Sequence, residues 1–164
     1  MKPKQYEQFL QCQPKLYRFA YSLVKHVGDA EDIFQDTLVK IWELKEEWDK
    51  WTNFEAYTMR MIRNNFLNFE KRKKSKLYVG LEDVVEVPEP NEVEQGIITD
   101  DLRYKFKLLT RKLPEIQKNI LFLREIEELE YKEIAEILDL TDAQVKMYLF
   151  RARQYLKSKV HGKR

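Results

Sequence analysis

Cysteine, glycine, proline and histidine are all scarce in this chain of 164 residues, and each scarcity excludes something. A single cysteine, Cys12, rules out an internal disulfide and any multi-cysteine zinc site, which fits a reducing cytosol. The two histidines, His26 and His161, stand far apart, so no conventional His/Cys metal site is expected and no cofactor is implied. Four glycines and five prolines are too few for the many tight turns of a sandwich or barrel. No apolar run approaches the roughly 20 residues of a membrane span, and Met1-Lys2-Pro3-Lys4 is not followed by the apolar core of a signal peptide. No membrane insertion is expected, and the cytoplasm is the expected location.

What is present points to helices. Apolar residues make up 43% of the chain, enough to build a core, and they recur at three- and four-residue spacing. Tyr6, Phe9, Leu10, Leu16, Tyr17, Ala20, Leu23 and Val24 predict one helix. Ala30, Ile33, Phe34, Thr37, Leu38, Ile41 and Trp42 predict a second, with Asp29 as its N-cap. Thr52 and Glu55 have the spacing of a capping box for a third, which includes Phe54, Tyr57, Met61, Ile62, Phe66 and Phe69. Leu102, Phe106, Leu109 and Leu113 predict a fourth. Pro114 at the first helical position opens a fifth, striped by Ile116, Ile120, Leu123 and Ile126. The expected fold is all-α.

Charge is nearly balanced, at a net +2, but it is segregated. Eight acids face two bases between Asp29 and Asp49, and seven bases face one acid between Met59 and Lys76. Eight acids and no base lie between Glu82 and Asp101, and seven bases and no acid follow Gln144. Blocks of this kind are often solvated faces. Two basic blocks separated by an acidic one also suit two polyanion-binding surfaces. The acidic stretch contains Pro88 and Pro90, follows Gly80 and lacks helical periodicity, so residues 77–98 are expected to be a linker. It divides the chain into domains at 1–76 and 99–164, each near the lower size limit for an independent core.

The sharpest local signal lies between Tyr131 and Leu156. A short helix with Ile134, Ala135 and Leu138 on one face ends at Asp139-Leu140. Thr141 then precedes Gln144 at capping-box spacing, with Leu140 and Val145 placed as a hydrophobic staple. The next helix turns Val145, Leu149, Ala152 and Leu156 inward, which makes a helix-turn-helix. Its outward side carries Lys146, Met147, Tyr148, Phe150, Arg151 and Arg153, a basic and aromatic surface suited to a major groove. An ordinary helical hairpin with a basic solvated face is the alternative.

The third helix is odd by propensity, because Asn64, Asn65 and Asn68 lie inside it. Asn64 and Asn68 share a face with Arg60 and lead toward Arg72; amides read base edges and cations hold phosphates. Trp48, Trp51, Phe54 and Tyr57 offer flat surfaces for unpaired bases, or belong to the core. On the second helix Asp32, Gln35, Asp36 and Val39 form an acidic, partly apolar strip opposite the apolar stripe. It would repel nucleic acid, so a basic protein surface is its better partner, with a solvated face as the alternative.

These residues resemble a known family. The stretches YRFAYSLVKHVGDAEDIFQDTLVKIWE, NFEAYTMRMIRNNFLNFEKRKK and LPEIQKNILFLREIEELEYKEIAEILDLTDAQVKMYLFRARQYLK are similar to group 4, extracytoplasmic-function sigma factors of bacterial RNA polymerase. The Leu113-Pro114 pair, the Y-x-E-I-A from Tyr131 and the V-K-x-x-L-x-R-A-R from Val145 stand in the family's order and spacing. The resemblance implies two helical promoter-binding domains and no enzymatic activity. A region two would hold the β′ coiled coil of core polymerase through Asp32, Gln35, Asp36 and Val39. It would also open the minus-ten element with Asn64, alongside Arg60, Arg63, Asn68 and Arg72. A region four would touch the β flap and meet the minus-thirty-five element through Lys146, Met147, Phe150 and Arg151, flanked by Gln144, Tyr148 and Arg153. An anti-sigma factor is a further implied partner. The chain departs from the family's pattern at Tyr148, where a basic residue is common, at Tyr57, where Trp is frequent, and at Asp139, where Gly often ends the helix.

Two rival readings use fewer of these features. A helix-turn-helix repressor with a ligand-sensing first half leaves the Asn/Arg helix and the acidic strip without a role. A Mg²⁺-dependent nuclease would need Asp32, Asp36 and Glu43 as ligands, and neither a nucleophile nor a Gly-rich phosphate loop accompanies them.

Overall fold

A computed structural model describes residues 3–79 and 101–161, with side chains described for 4–75 and 104–160. Residues 80–100, which carry nearly all of the expected linker and its acidic block, lie outside the described residues. The chain divides into two compact units, Met1–Asn91 and Glu92–Arg164. Among the described residues there are helices and no strand, as the periodicity predicts.

In the first unit, α1 (Pro3–Leu23), α2 (Val27–Glu43) and α3 (Phe54–Val79) pack pairwise against one another. The core takes Leu16, Phe19 and Ala20 from α1, Ala30, Ile33 and Ile41 from α2, and Met59 and Ile62 from α3. Full burial of each such large side chain contributes roughly 1.5–3 kcal/mol. A 3-10 turn, Lys45–Lys50, follows α2 and buries Trp48, whose indole N–H donates to the Ile41 carbonyl at 2.9 Å. That carbonyl, one of the last four of α2, also accepts the Leu44 N–H at 3.2 Å.

Several boundaries and faces depart from expectation. The N-cap of α2 is His26, not Asp29, which falls in the first turn and there complements the helix dipole. The cap of α3 is Asn53 rather than Thr52: its Oδ1 accepts the Ala56 N–H at 3.0 Å. The end of α3 at Val79 runs three residues past the expected domain edge. On α1 the buried stripe is Phe9, Cys12, Leu16 and Phe19, whereas Tyr6 and Leu10 are exposed. Trp42 is exposed too, beside the rings of Tyr6 and Phe9.

In the second unit, α4 (Asp101–Thr110) is followed by α5 (Glu115–Leu121), a π turn (Phe122–Ile126), α6 (Tyr131–Leu138) and α7 (Asp142–His161). Pro114 stands at the N-cap of α5 instead of inside it. The stripe expected over this stretch is only partly buried: Phe106 packs edge-on to Phe122 and Leu113 is buried, but Leu109 is exposed. Ile120, Leu121 and Leu123 meet Ile134, Ile137 and Leu138 of α6 and Val145, Leu149 and Ala152 of α7 in a closed core.

Candidate nucleic-acid and polymerase interfaces

The turn into α7 is built from local bonds. Asp139 ends α6 in the left-handed region, at φ 57° and ψ 50°, a conformation that Asp tolerates better than most non-glycine residues. The Leu140 N–H reaches back to the Ala135 carbonyl at 2.9 Å. Thr141 and Gln144 then cap α7 reciprocally: the Gln144 N–H donates to Thr141 Oγ1 at 3.1 Å, and the Thr141 N–H to Gln144 Oε1 at 2.9 Å. The Gln144 side chain, expected among the DNA-facing groups, is therefore engaged by the cap. Its carbonyl oxygen fixes the start of the helix.

With Val145, Leu149 and Ala152 fully inward, the opposite side of α7 is fixed outward. Lys146, Met147, Phe150 and Arg151 are exposed together, as expected, with Phe150 at 63%. Tyr148 is half-buried, so it contributes less to the outer surface than its neighbours. Arg153 is exposed but paired, its Nε and Nη2 donating to one oxygen of Glu125 at 3.0 and 2.6 Å. That hydrogen bond pushes the Arg153 pKa further up.

In the first unit a groove of about 790 Å³ runs between α2 and α3. Asp32, Gln35, Asp36 and Val39 line one wall, and Asn68 and Arg72 line the other. The four residues of the acidic strip are thus brought together. Asn68 and Arg72 face them, whereas Arg60 and Asn64 are exposed on α3 without lining the groove. Arg63 is half-buried and partnered. Beneath the groove, Asn65 is buried and bonded to α2. Of the four aromatics offered as stacking surfaces, Trp48 and Phe54 belong to the core. Trp51 and Tyr57 stack on each other, with centroids 4.0 Å apart and planes at 18°, and Tyr57 remains exposed.

The family model described as sigma-70 region 2 matches residues 9–76, and that described as sigma-70, region 4 matches residues 104–156. The chain belongs to the sigma-70 family. It is a sigma factor of the extracytoplasmic-function type, a class of promoter-recognising transcription-initiation factors. It is similar to the ECF RNA polymerase sigma factor SigM of Bacillus subtilis (strain 168), at 27% identity over 143 residues, which cover 87% of this chain and 86% of the relative. It is also similar to SigW of the same strain, at 25% identity over 157 residues covering 89% and 83%. Among solved structures, it resembles the sigma factor RpoE from Bartonella quintana, in complex with the anti-sigma factor NepR. That match has a TM-score of 0.78 and 24% identity over 97% of this chain and 98% of that one. CnrH, in complex with the cytosolic domain of CnrY, matches with a TM-score of 0.66 and 18% identity over 98% and 89%.

In this sigma factor the sequence patterns had not pointed to Glu125, Arg124 or Tyr131 as neighbours of the recognition helix. The Arg124 guanidinium lies 4.7 Å from the Tyr131 ring centroid, and the Lys146 ammonium lies 5.8 Å from the same centroid. Nor was the second capping box at Glu130 and Glu133 anticipated; it opens α6 by the same logic as Thr141 and Gln144. An E-x-x-E spacing ahead of the apolar run was its only signal. Among the described residues no three or more His, Cys, Asp or Glu side chains are grouped to hold a metal, so Asp32, Asp36 and Glu43 do not form the ligand set of the nuclease reading. Among the described residues, too, no helix is long and apolar enough to cross a membrane.

Proposed function

We propose that this sigma factor divides promoter recognition between its two units, with domains at 1–76 and 99–164 and a linker at 77–98. In the first, Asp32, Gln35, Asp36 and Val39 bind the β′ coiled coil of core polymerase. Three polar side chains and an exposed valine suit a basic, partly apolar helical partner, and the charge pairing speeds encounter and sets register. On α3, Asn64 holds a base extruded from the minus-ten element, supported by Arg60, Arg63, Asn68 and Arg72. Unstacking costs a few kcal/mol, which amide hydrogen bonds to the base edge offset. The cations neutralise phosphates of the opened strands.

In the second unit, Lys146, Met147, Phe150 and Arg151 read the minus-thirty-five element in the major groove, with Gln144, Tyr148 and Arg153 in supporting places, and the unit touches the β flap. The observation that carries this reading is the exposure of Phe150. A phenylalanine 63% open to water, between cations on a firmly capped helix, fits apolar contact with a thymine methyl group. The chain works in the cytoplasm without cofactor or catalytic step, and an anti-sigma factor is a partner of the same surfaces. Run-off transcription with core polymerase across a promoter library tests the assignment. Specific transcripts that are lost with Asn64→Ala or Arg151→Ala support it. Absence of any specific transcript refutes it, and failure to co-purify with core polymerase would favour a repressor.

A further inference from the structure

Lys146, Phe150 and Arg153 follow one another at four- and three-residue spacing and form one row along α7. All three are exposed, but only Arg153 holds an acid. Glu125, which it holds, comes from the π turn beside the helix. Two further cations stand close by. Arg124 donates through Nη1 to the Leu129 carbonyl at 2.8 Å and lies over Tyr131, which Lys146 also approaches. Arg124, Lys146 and Arg153 are thus gathered near Tyr131, and Glu125 is the carboxylate that Arg153 holds.

The fold has little need of this pair. The two side chains are 50% and 45% exposed, and surface pairs of this kind contribute only about 0.2–1 kcal/mol. A carboxylate beside a DNA-facing row also opposes the charge of the ligand. Its geometry is informative: two guanidinium N–H groups converge on one oxygen, as they would on a phosphate oxygen. We infer that Glu125 is an internal substitute for a DNA phosphate: it occupies Arg153 on mismatched DNA and yields it to the backbone only when α7 is seated in its matching site. Glu125 is then a positioning residue that lowers non-specific affinity by withholding one cation. This rests on the reading of α7 as the DNA-facing helix.

The test uses the full chain, with Glu125→Gln, Arg153→Gln and the double variant. Binding is measured by fluorescence anisotropy at several salt concentrations. The probes are the best duplex from a minus-thirty-five panel and a scrambled duplex of equal length. On the scrambled duplex, Glu125→Gln is expected to bind more tightly at low salt. Its plot of log affinity against log salt should steepen by about 0.9, the increment of one added phosphate contact. That slope implies about a threefold greater loss of affinity between 50 and 200 mM salt. On the best duplex the slope should stay at the wild-type value, so the ratio of specific to non-specific affinity falls. In the Arg153→Gln background, Glu125→Gln should change neither slope.

An unchanged slope on the scrambled duplex, or an effect that persists without Arg153, overturns the inference while leaving the reading of α7 intact. A wild-type chain that does not distinguish the two duplexes overturns that reading and this inference together. Thermal unfolding of each variant, expected within a few degrees of wild type, separates either result from a damaged fold.

Discussion

Asn65 on α3 donates from Nδ2 to the Thr37 hydroxyl on α2 across 2.7 Å. Its Oδ1 accepts from Lys40 at 2.9 Å, and the Thr37 hydroxyl in turn donates to the Ile33 carbonyl at 2.6 Å. This chain of bonds ties α2 to α3 at the groove that carries the acidic strip. It also draws Lys40 toward α3.

Asn65 and Asn64 should therefore respond differently to the same substitution. Asn65→Ala breaks a buried bridge and is expected to cost about 1–3 kcal/mol, read from urea unfolding. Asn64 is exposed, so Asn64→Ala should leave the unfolding midpoint within about 0.5 kcal/mol of wild type. Its defect should be in promoter opening, seen as weaker permanganate reactivity of unpaired thymines and relieved on a pre-melted template. Equal opening on both templates would remove Asn64 from this role.

Asp32 and Asp36 point into the groove and away from the core, so Asp32→Lys with Asp36→Lys should fold normally. Binding to core polymerase should weaken, and more so at low salt than at high salt, because screening shortens the reach of the lost attraction. Titrations at two salt concentrations check this. Unchanged affinity at both would return the strip to plain solvated surface.

Arg151 and Lys157 are both exposed cations of α7, placed almost two turns apart. Arg151→Ala should cost about 1–3 kcal/mol on the preferred minus-thirty-five sequence and relax selection at one base pair. Lys157→Ala should weaken all sequences alike and reduce the salt slope by roughly one. A panel of duplex variants distinguishes them. A uniform loss with Arg151→Ala would make Arg151 a phosphate contact.

Cys12 is the least reactive kind of thiol. Burial, the largest influence, pushes its pKa from an ordinary 9.0 up to about 12. Its Sγ donates to the Phe9 carbonyl at 3.2 Å. Since the folded pKa is the higher one, the neutral thiol's contribution to stability is complete below pH 9 and declines as pH rises from 9 toward 12. Alkylation of the native chain at pH 8 should therefore be far slower than that of the urea-unfolded chain, with mass spectrometry as the readout. Equal rates would mean that the α1 core opens freely.

The helix-turn-helix was legible because its determinants are local: the Thr141–Gln144 cap and the inward set Val145, Leu149 and Ala152 lie within one short segment. Tertiary choices were not. Asn64 and Asn65 are identical and adjacent, and only the arrival of Thr37 from another helix makes one of them structural. Trp48 and Trp51 differ in the same way, one enclosed by Phe9 and Phe54 and the other stacked on Tyr57. The acidic strip was visible as a face, but the groove opposite it, with Asn68 and Arg72, depends on how α2 and α3 pack. Leu109 fits a helical stripe yet stays exposed, since spacing marks a face without naming what covers it.

The π turn at Phe122–Ile126 gives segment length a meaning of its own. The Glu127 N–H bonds the Phe122 carbonyl five residues back, so the chain takes one residue more there than an α turn would. Each helical residue rotates the chain by about 100°. Deleting one residue here would change the phase at which Glu125 leaves the turn, with every side chain on α7 untouched. The angular setting of the acid against Arg153 is thus stored as a count of residues, a property that no single substitution in α7 would reveal.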